Sequence, residues 1–242
     1  MTLVGSRQPV QLYQAGDLYE GASFGNLLDA LDASYCTFEG GDNPEFDATY
    51  PDPYGGYQGQ EDCGTVTPAY IMSTSYGYTE ADLTPAYEQR QCAEYAKLGL
   101  MGISVFFSSG DNGVAGNDGV CLNAEGQEDY DGTVFAPGFP VDCPYVTAVG
   151  ATQVNPNATV RFLCALLVID DAYHDYATKV WEPESACEQV IYSGGGFSNV
   201  FPVPSYQASA VEHYLSTYPP GYPEGTYNTS GSRAFPDISA NG

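Results

Sequence analysis

The stretch ISVFFSSGDNGVAG, residues 103–116, decides how the chain folds. Its first half, ISVFFSS (103–109), is an apolar run of the kind buried in a parallel sheet, and its second half, GDNGVAG (110–116), is a glycine-rich turn. Upstream, AYIMSTS (69–75) reads as a buried strand, and TPAYEQRQCAEYAKLGLMG (84–102) carries Tyr87, Cys92, Tyr95, Ala96 and Leu98 at helical spacing before a glycine stop. Strand, helix and strand in that order predict a βαβ unit, and with it a parallel sheet covered by helices. Such sheets put their chemistry at the carboxyl ends of their strands, which is where Asp111 stands. An aspartate beside a positive-φ glycine is also an ordinary turn residue, so local sequence leaves both readings open. Downstream, YVTAVGATQ (145–153) is a further strand, SGGGFSNV (193–200) a glycine-rich turn, and residues 204–217 a short helix opened by proline and serine.

Composition narrows the function. The 242 residues hold 6 Lys+Arg against 31 Asp+Glu, a formal net charge of −25. That excludes a nucleic-acid binder held by counterion release and a basic protein of membrane surfaces. With 43% hydrophobic residues, 21 Tyr and 11 Phe, the chain is too apolar for an acidic disordered tail, and we expect one domain over residues 1–242. The longest apolar run, residues 162–169, is less than half a membrane span.

Seven cysteines, two glycosylation sequons at Asn157 and Asn228, 17 Pro and 28 Gly are the habits of an extracellular protein. The first residues show no basic segment followed by an apolar one, so no signal peptide is expected in this stretch. Residues 36–64 are dense in Gly, Pro, Asp and Tyr without hydrophobic period and read as a loop excursion bracketed by Cys36 and Cys63. A disulfide between those two would remove about 3–4 kcal/mol of unfolded-state freedom.

Four segments, SSGDNGVAG (108–116), CPYVTAVGATQ (143–153), SGGGFSNVFPVPSYQ (193–207) and RAFPDISANG (233–242), resemble in that order the sedolisins, the serine-carboxyl peptidases. Residues 73–102 are similar to the fungal secreted tripeptidyl-peptidase branch. The resemblance implies a subtilisin-like α/β fold, incomplete at both ends, and a secreted parent that cleaves peptide or protein substrates at acid pH. It implies a Ser nucleophile, a Glu base, an Asp that orients the Glu, and a second Asp in the oxyanion hole, whose place Asp111 takes. A carboxylate base still accepts a proton at a pH where histidine is already protonated. The oxyanion acid donates a hydrogen bond only when neutral, which acid solvent and partial burial both favour. Ser75, Tyr76 and Gly77 match the edge strand along which the substrate backbone lies, and Gly194 and Gly195 the glycine-rich wall of the cleft. As strand end and turn, these five residues also have ordinary structural explanations.

The departures carry as much weight. The Glu and Asp of the family belong ahead of residues 1–17, and its Gly-Thr-Ser motif and calcium ligands belong beyond Gly242, so we expect no calcium bound by this chain. Gly25-Asn26-Leu27-Leu28-Asp29 imitates the Glu/Asp motif with glycine in place of the glutamate. Alone, the chain is expected to be inactive; the alternative is a non-catalytic peptide-binding remnant. Cys121 and Cys143, bracketing the loop after the oxyanion turn, are the preferred second bridge. Residues 160–179 interrupt the family pattern and bring the odd cysteine, Cys164. We read them as a retained intron, with an authentic hairpin built on FLCALLVI as the other reading.

Overall fold

The computed structural model describes residues 9–19, 21, 23–38, 43–155, 184–223, 225–229 and 231–241. Asn157, Cys164 and residues 160–179 lie outside them. In chain order the elements are α1 (Phe24–Leu31), α2 (Ala33–Phe38), β1 (Ile71–Thr74), β2 (Tyr78–Thr79), a 3-10 turn (Glu80–Asp82), α3 (Pro85–Leu100), β3 (Ser104–Ser108), β4 (Cys121–Leu122), β5 (Glu128–Asp129), β6 (Gly138–Phe139), β7 (Thr147–Val154), β8 (Glu184–Ala186), β9 (Gly196–Pro202), α4 (Ala208–Thr217), β10 (Ser232–Phe235) and β11 (Ile238–Asn241). The fold class is α/β. The main sheet has the order β1-β3-β7-β11, with β8 also on β7. β3 and β11 both run parallel to β7, with Phe106 opposite Thr147 and Ile238 opposite Val149.

The chain divides into two compact units. The first, Met1–Met72 with Ala86–Ser104, is helical and loop-rich. Ser23 caps α1 by accepting from the Asn26 amide at 3.0 Å, and Asn26 grips Ala48 in both directions, donating to its carbonyl and accepting from its N–H. Leu28, Leu31, Tyr35, Tyr87, Tyr95 and Leu98 are buried. Cys36 and Cys63 are joined by a disulfide. The loop it closes is more than an excursion into solvent: Asp47, Ala48 and Asp52 are buried, and Asp47 accepts a hydrogen bond from Tyr87 at 2.5 Å.

The second unit, Ser73–Pro85 with Val105–Gly242, holds β7, β11 and the antiparallel pairs β2-β6, β4-β5 and β9-β10. Val105, Phe107, Leu122, Phe139, Val146, Ala148, Phe201 and Phe235 are among its buried apolar side chains.

Four local expectations are corrected. The first strand is an edge of the sheet, so Met72 is buried while Tyr70 and Ile71 are 80% and 70% exposed. The glycine-rich turn gives way at Gly196 to strand β9, because Ser198 and Phe201 point inward and β10 supplies a partner. The helix starts at Ala208, since the Pro204 carbonyl accepts from Gln207 and Ala208 in a separate turn. Cys121 has a free thiol while Cys143 is disulfide-bonded, which overturns the Cys121–Cys143 pairing. In the β4-β5 hairpin Leu122 faces the interior and the alternation turns Cys121 away, whereas Cys143 is wholly buried.

Candidate functional site

The site grows from the end of β3. Ser109 extends the ladder by donating to Val149 at 2.9 Å, and the backbone then turns away through Gly110 (φ +98°) and Gly113 (φ +64°). Asp111 sits between those glycines, at the carboxyl end of the strand and beside the β3-β7 pair. Asn112 closes the loop by donating to the Gly116 and Asn117 carbonyls at 3.0 and 2.8 Å.

The glycine-rich segment is laced onto this loop. Tyr192 donates to the Asp111 carbonyl at 2.8 Å, and Gly113 donates back to Tyr192 at 2.9 Å. Gly194 then donates to Gly110 at 2.8 Å and Gly195 to Gly113 at 3.1 Å. The approach is so close that a Cβ on Gly194 would stand 1.8 Å from the Ser109 carbonyl oxygen. Only glycine fits there. Farther along, Glu80 is buried and accepts hydrogen bonds from the Ser198 hydroxyl and from the Asn199 and Val200 amides, which ties β9 to the 3-10 turn.

The structure therefore brings Asp111, Gly194 and Gly195 together. Gly77 joins them at one remove: its carbonyl accepts from Asn117 at 2.7 Å, and Asn117 belongs to the loop that Asn112 closes. Ser75 and Tyr76 are exposed, and among the described residues neither side chain is hydrogen-bonded to the Asp111 loop. Asp111 is exposed as well, so the partial burial expected for an oxyanion acid is absent in this arrangement. Asn228 is exposed. The Gly25–Asp29 pair is no substitute for the Glu/Asp motif, because a Cβ on Gly25 would meet the Asp47 carboxylate at 2.1 Å.

Two hollows adjoin the glycines. A pit of about 20 Å³ is lined by Thr79, Ser109–Gly113 and Asn117. A wider, mainly apolar hollow of about 1090 Å³ runs past Gly194–Gly196 toward Tyr145, Phe197, Tyr206, Tyr214 and Tyr222. Residues that sequence reasoning missed are Asn112, Asn117, Glu80, Gln207 and the pair Arg233–Asp237. The two asparagines were visible in SSGDNGVAGN but carried no signal beyond turn chemistry, and Glu80 reads like any surface acid.

No family model matches the chain. Aorsin of Aspergillus oryzae is 43% identical over 97% of this chain and 36% of its own length. Tripeptidyl-peptidase SED1 of Arthroderma otae is 39% identical over 95% of this chain and 34% of its own. Tripeptidyl-peptidase 1 of Bos taurus is 37% identical over 71% and 24%. Among solved structures, Pseudomonas sedolisin, a serine-carboxyl proteinase complexed with pseudo-iodotyrostatin, aligns with a TM-score of 0.43 at 24% identity, covering 72% of this chain and 38% of that one. The chain spans about a third of the length of the curated relatives it matches best among these. Identity of this extent over nearly all of its residues makes the chain a member of the sedolisin family.

Proposed function

We propose that this chain contributes the oxyanion side of a serine-type peptidase that hydrolyses peptide bonds at acid pH through an acyl-enzyme. The observation that supports it is the seating of Gly194 and Gly195 on the Gly110–Gly113 backbone around Asp111. In this reading Asp111 is the neutral acid that donates a hydrogen bond to the developing oxyanion, and the acidity of the medium supplies its proton. The substrate backbone lies along Ser75–Gly77 with Gly194–Gly195 as the facing wall. The Ser nucleophile and the Glu/Asp pair come from outside these 242 residues, so the chain alone releases no peptides.

The parent protein is secreted, with Asn228 and Asn157 as glycan acceptors. Calcium, which the family resemblance implies, is also held outside this chain. Two carboxylates of the second unit already have protein donors, the buried Glu80 from Ser198–Val200 and the partly exposed Asp237 from Arg233 and Ala148.

The test is Asp111→Ala and Asp111→Asn in the full-length protein, assayed on acid-cleaved peptides across pH. The alanine variant is expected to lose about 10²–10³ in turnover. The asparagine variant is expected to retain more and to show a flatter pH profile, because an amide donates at any pH. Wild-type turnover in the alanine variant, or an equal loss in both variants at every pH, would refute the role of a protonated acid.

A further inference from the structure

The second unit has one buried cation among the described residues, Arg233. Arg233 is 0% exposed, and its guanidinium grips Asp237 with two parallel bonds of 2.6 Å while donating a third, also 2.6 Å, to the Ala234 carbonyl. Asp237 also accepts from the Ala148 amide at 2.8 Å, and its own N–H donates to the Ala148 carbonyl at 2.9 Å. Gln207 holds Ala234 from the other side, accepting from its N–H at 3.0 Å and donating to its carbonyl at 2.5 Å.

What the pair straddles gives it meaning. Residues 234–236 are the floor of the glycine-rich wall: Ala234 stands opposite Phe197 and Phe235 opposite Gly196 in the β9-β10 ladder. A Cβ on Gly195 would lie 3.3 Å from the Phe235 carbonyl oxygen and 3.5 Å from Pro236, and one on Gly150 would lie 2.8 Å from Pro236. These glycines have no side chain to absorb a shift, so a displacement of 234–236 passes directly to Gly195, and from there to the bonds that Gly194 and Gly195 make with Gly110 and Gly113. With Arg233 buried and the Asp237 side chain 20% exposed, the ion pair is a poor means of stabilising the fold, since apolar residues of the same volume often do as well. Its planar two-point grip does fix direction, which apolar packing does not.

We infer that Arg233 and Asp237, assisted by Gln207, are positioning residues that hold the glycine wall in register beside Asp111. The kinetic part of this inference rests on the peptidase reading; the backbone part does not.

The experiment uses the full-length protein with three variants: Arg233→Lys, the double Arg233→Met with Asp237→Leu, and Gln207→Leu. The double variant removes both charges together and leaves no uncompensated ion. It is expected to fold, to exchange the Gly194 and Gly195 amide hydrogens about 10-fold faster or more, and to leave exchange in α1 unchanged. Turnover is expected to fall about 10-fold or more with KM moving less than about 3-fold, as for a lost orientation rather than lost binding. Arg233→Lys, which keeps the charge but not the fork, should fall between it and wild type. Gln207→Leu gives the same selective loosening in milder form and decides the matter should the double variant not fold. A folded double or Gln207→Leu variant with wild-type exchange at Gly194 and Gly195 overturns the inference, as does faster exchange with turnover intact while Asp111→Ala is inactive. If Asp111→Ala is fully active, the peptidase reading fails, and the exchange measurement alone decides whether the brace exists.

Discussion

One carboxylate in each compact unit is shifted from its ordinary range, and the two shifts run in opposite directions. In the first, Asp32 is bonded to Lys97 and accepts from the Ser34 amide at 2.8 Å and its hydroxyl at 2.9 Å. Burial raises the Asp32 pKa, but the hydrogen bonds from Lys97 and Ser34 outweigh it and hold the carboxyl well below the ordinary range. In the second unit no such donor to Asp82 is found among the described residues: partial desolvation, then the neighbouring Glu128 and Asp118, push its pKa up. The signs differ accordingly. Asp32, depressed in the folded state, contributes stability that is present above about pH 4 and lost only as pH falls through its folded value. Asp82, raised, contributes stability that is present below about pH 4 and lost as pH rises through its folded value. A chain with 31 acidic residues and 6 cations thus places its few cations where they count. Among the described residues Lys97 serves Asp32, Arg90 lies over the Tyr35 ring at 4.2 Å, and Arg233 holds Asp237. The second unit, which carries the candidate site, keeps a carboxyl cluster that relaxes in acid.

One glycine in each unit is expected to separate the two most sharply. Gly194→Ala drives a Cβ into backbone, 1.8 Å from the Ser109 oxygen, and neither chain segment can yield without moving Asp111. We expect turnover of the full-length protein to fall about 10²-fold or more. Gly25→Ala in the first unit meets instead the end of a side chain, the Asp47 carboxylate, which can swing at the expense of its hydrogen bond from Tyr87. That variant should lose about 1–3 kcal/mol of stability and leave turnover unchanged. Equal kinetic effects from the two would remove any special role for the glycine wall.

A smaller effect is expected at Glu80. Glu80→Gln keeps the shape but loses the charge that strengthens the bonds to Oε1 from the Ser198 hydroxyl and the Asn199 and Val200 N–H groups, and, with its oxygen in that place, turns an amide NH₂ toward the Asn199 N–H that Oε2 accepts from. The loss should be about 1–3 kcal/mol by denaturant unfolding, with the cooperative slope unchanged. No loss would mean that β9 is held by its pairing with β10 alone.

What the sequence disclosed follows the same physics. Strands 103–109 and 145–153 were legible because apolar runs between glycines have few alternatives, and both lie in the main sheet as β3 and β7. Asp111 was legible through its place in a family pattern, since SSGDNG by itself describes any tight turn. The Arg233–Asp237 pair escaped notice because i,i+4 spacing suggests contact only on a helix, and here it bridges the end of β10 and the start of β11. Cys121 was paired on loop length, whereas the free thiol follows from the β4 alternation, which two residues of strand cannot announce.

The Asp32–Lys97 pair gives the next prediction. Asp32→Asn should cost about 1 kcal/mol at neutral pH, discounted because the Lys97 side chain is 37% exposed. Because the wild-type carboxyl stays ionised well into acid, the cost should persist to about pH 3 and shrink only below that. Thermal melts across pH would show it as a constant difference that closes at the acid end. A difference already gone at about pH 5 would mean that the Lys97 contact does not hold in solution.

The smallest effect belongs to Asp82 and has the opposite sign. Its carboxyl is exposed, so solvent screens the repulsion from Glu128 and Asp118, and removing its charge is worth about 0.5 kcal/mol or less. Asp82→Asn should therefore raise the melting temperature slightly at neutral pH, where the wild-type carboxyl is ionised against its neighbours, and lose that effect in acid, where the carboxyl is neutral. The gain should also vanish in about 1 M salt, where the screening length falls to about 3 Å, while the Gly194→Ala and Glu80→Gln losses, which are steric and hydrogen-bonding in origin, should not. A stabilisation that survives salt, or that appears equally in acid, would show that the asparagine acts through new hydrogen bonds and that the acid-relaxing cluster has no part in the stability of this unit.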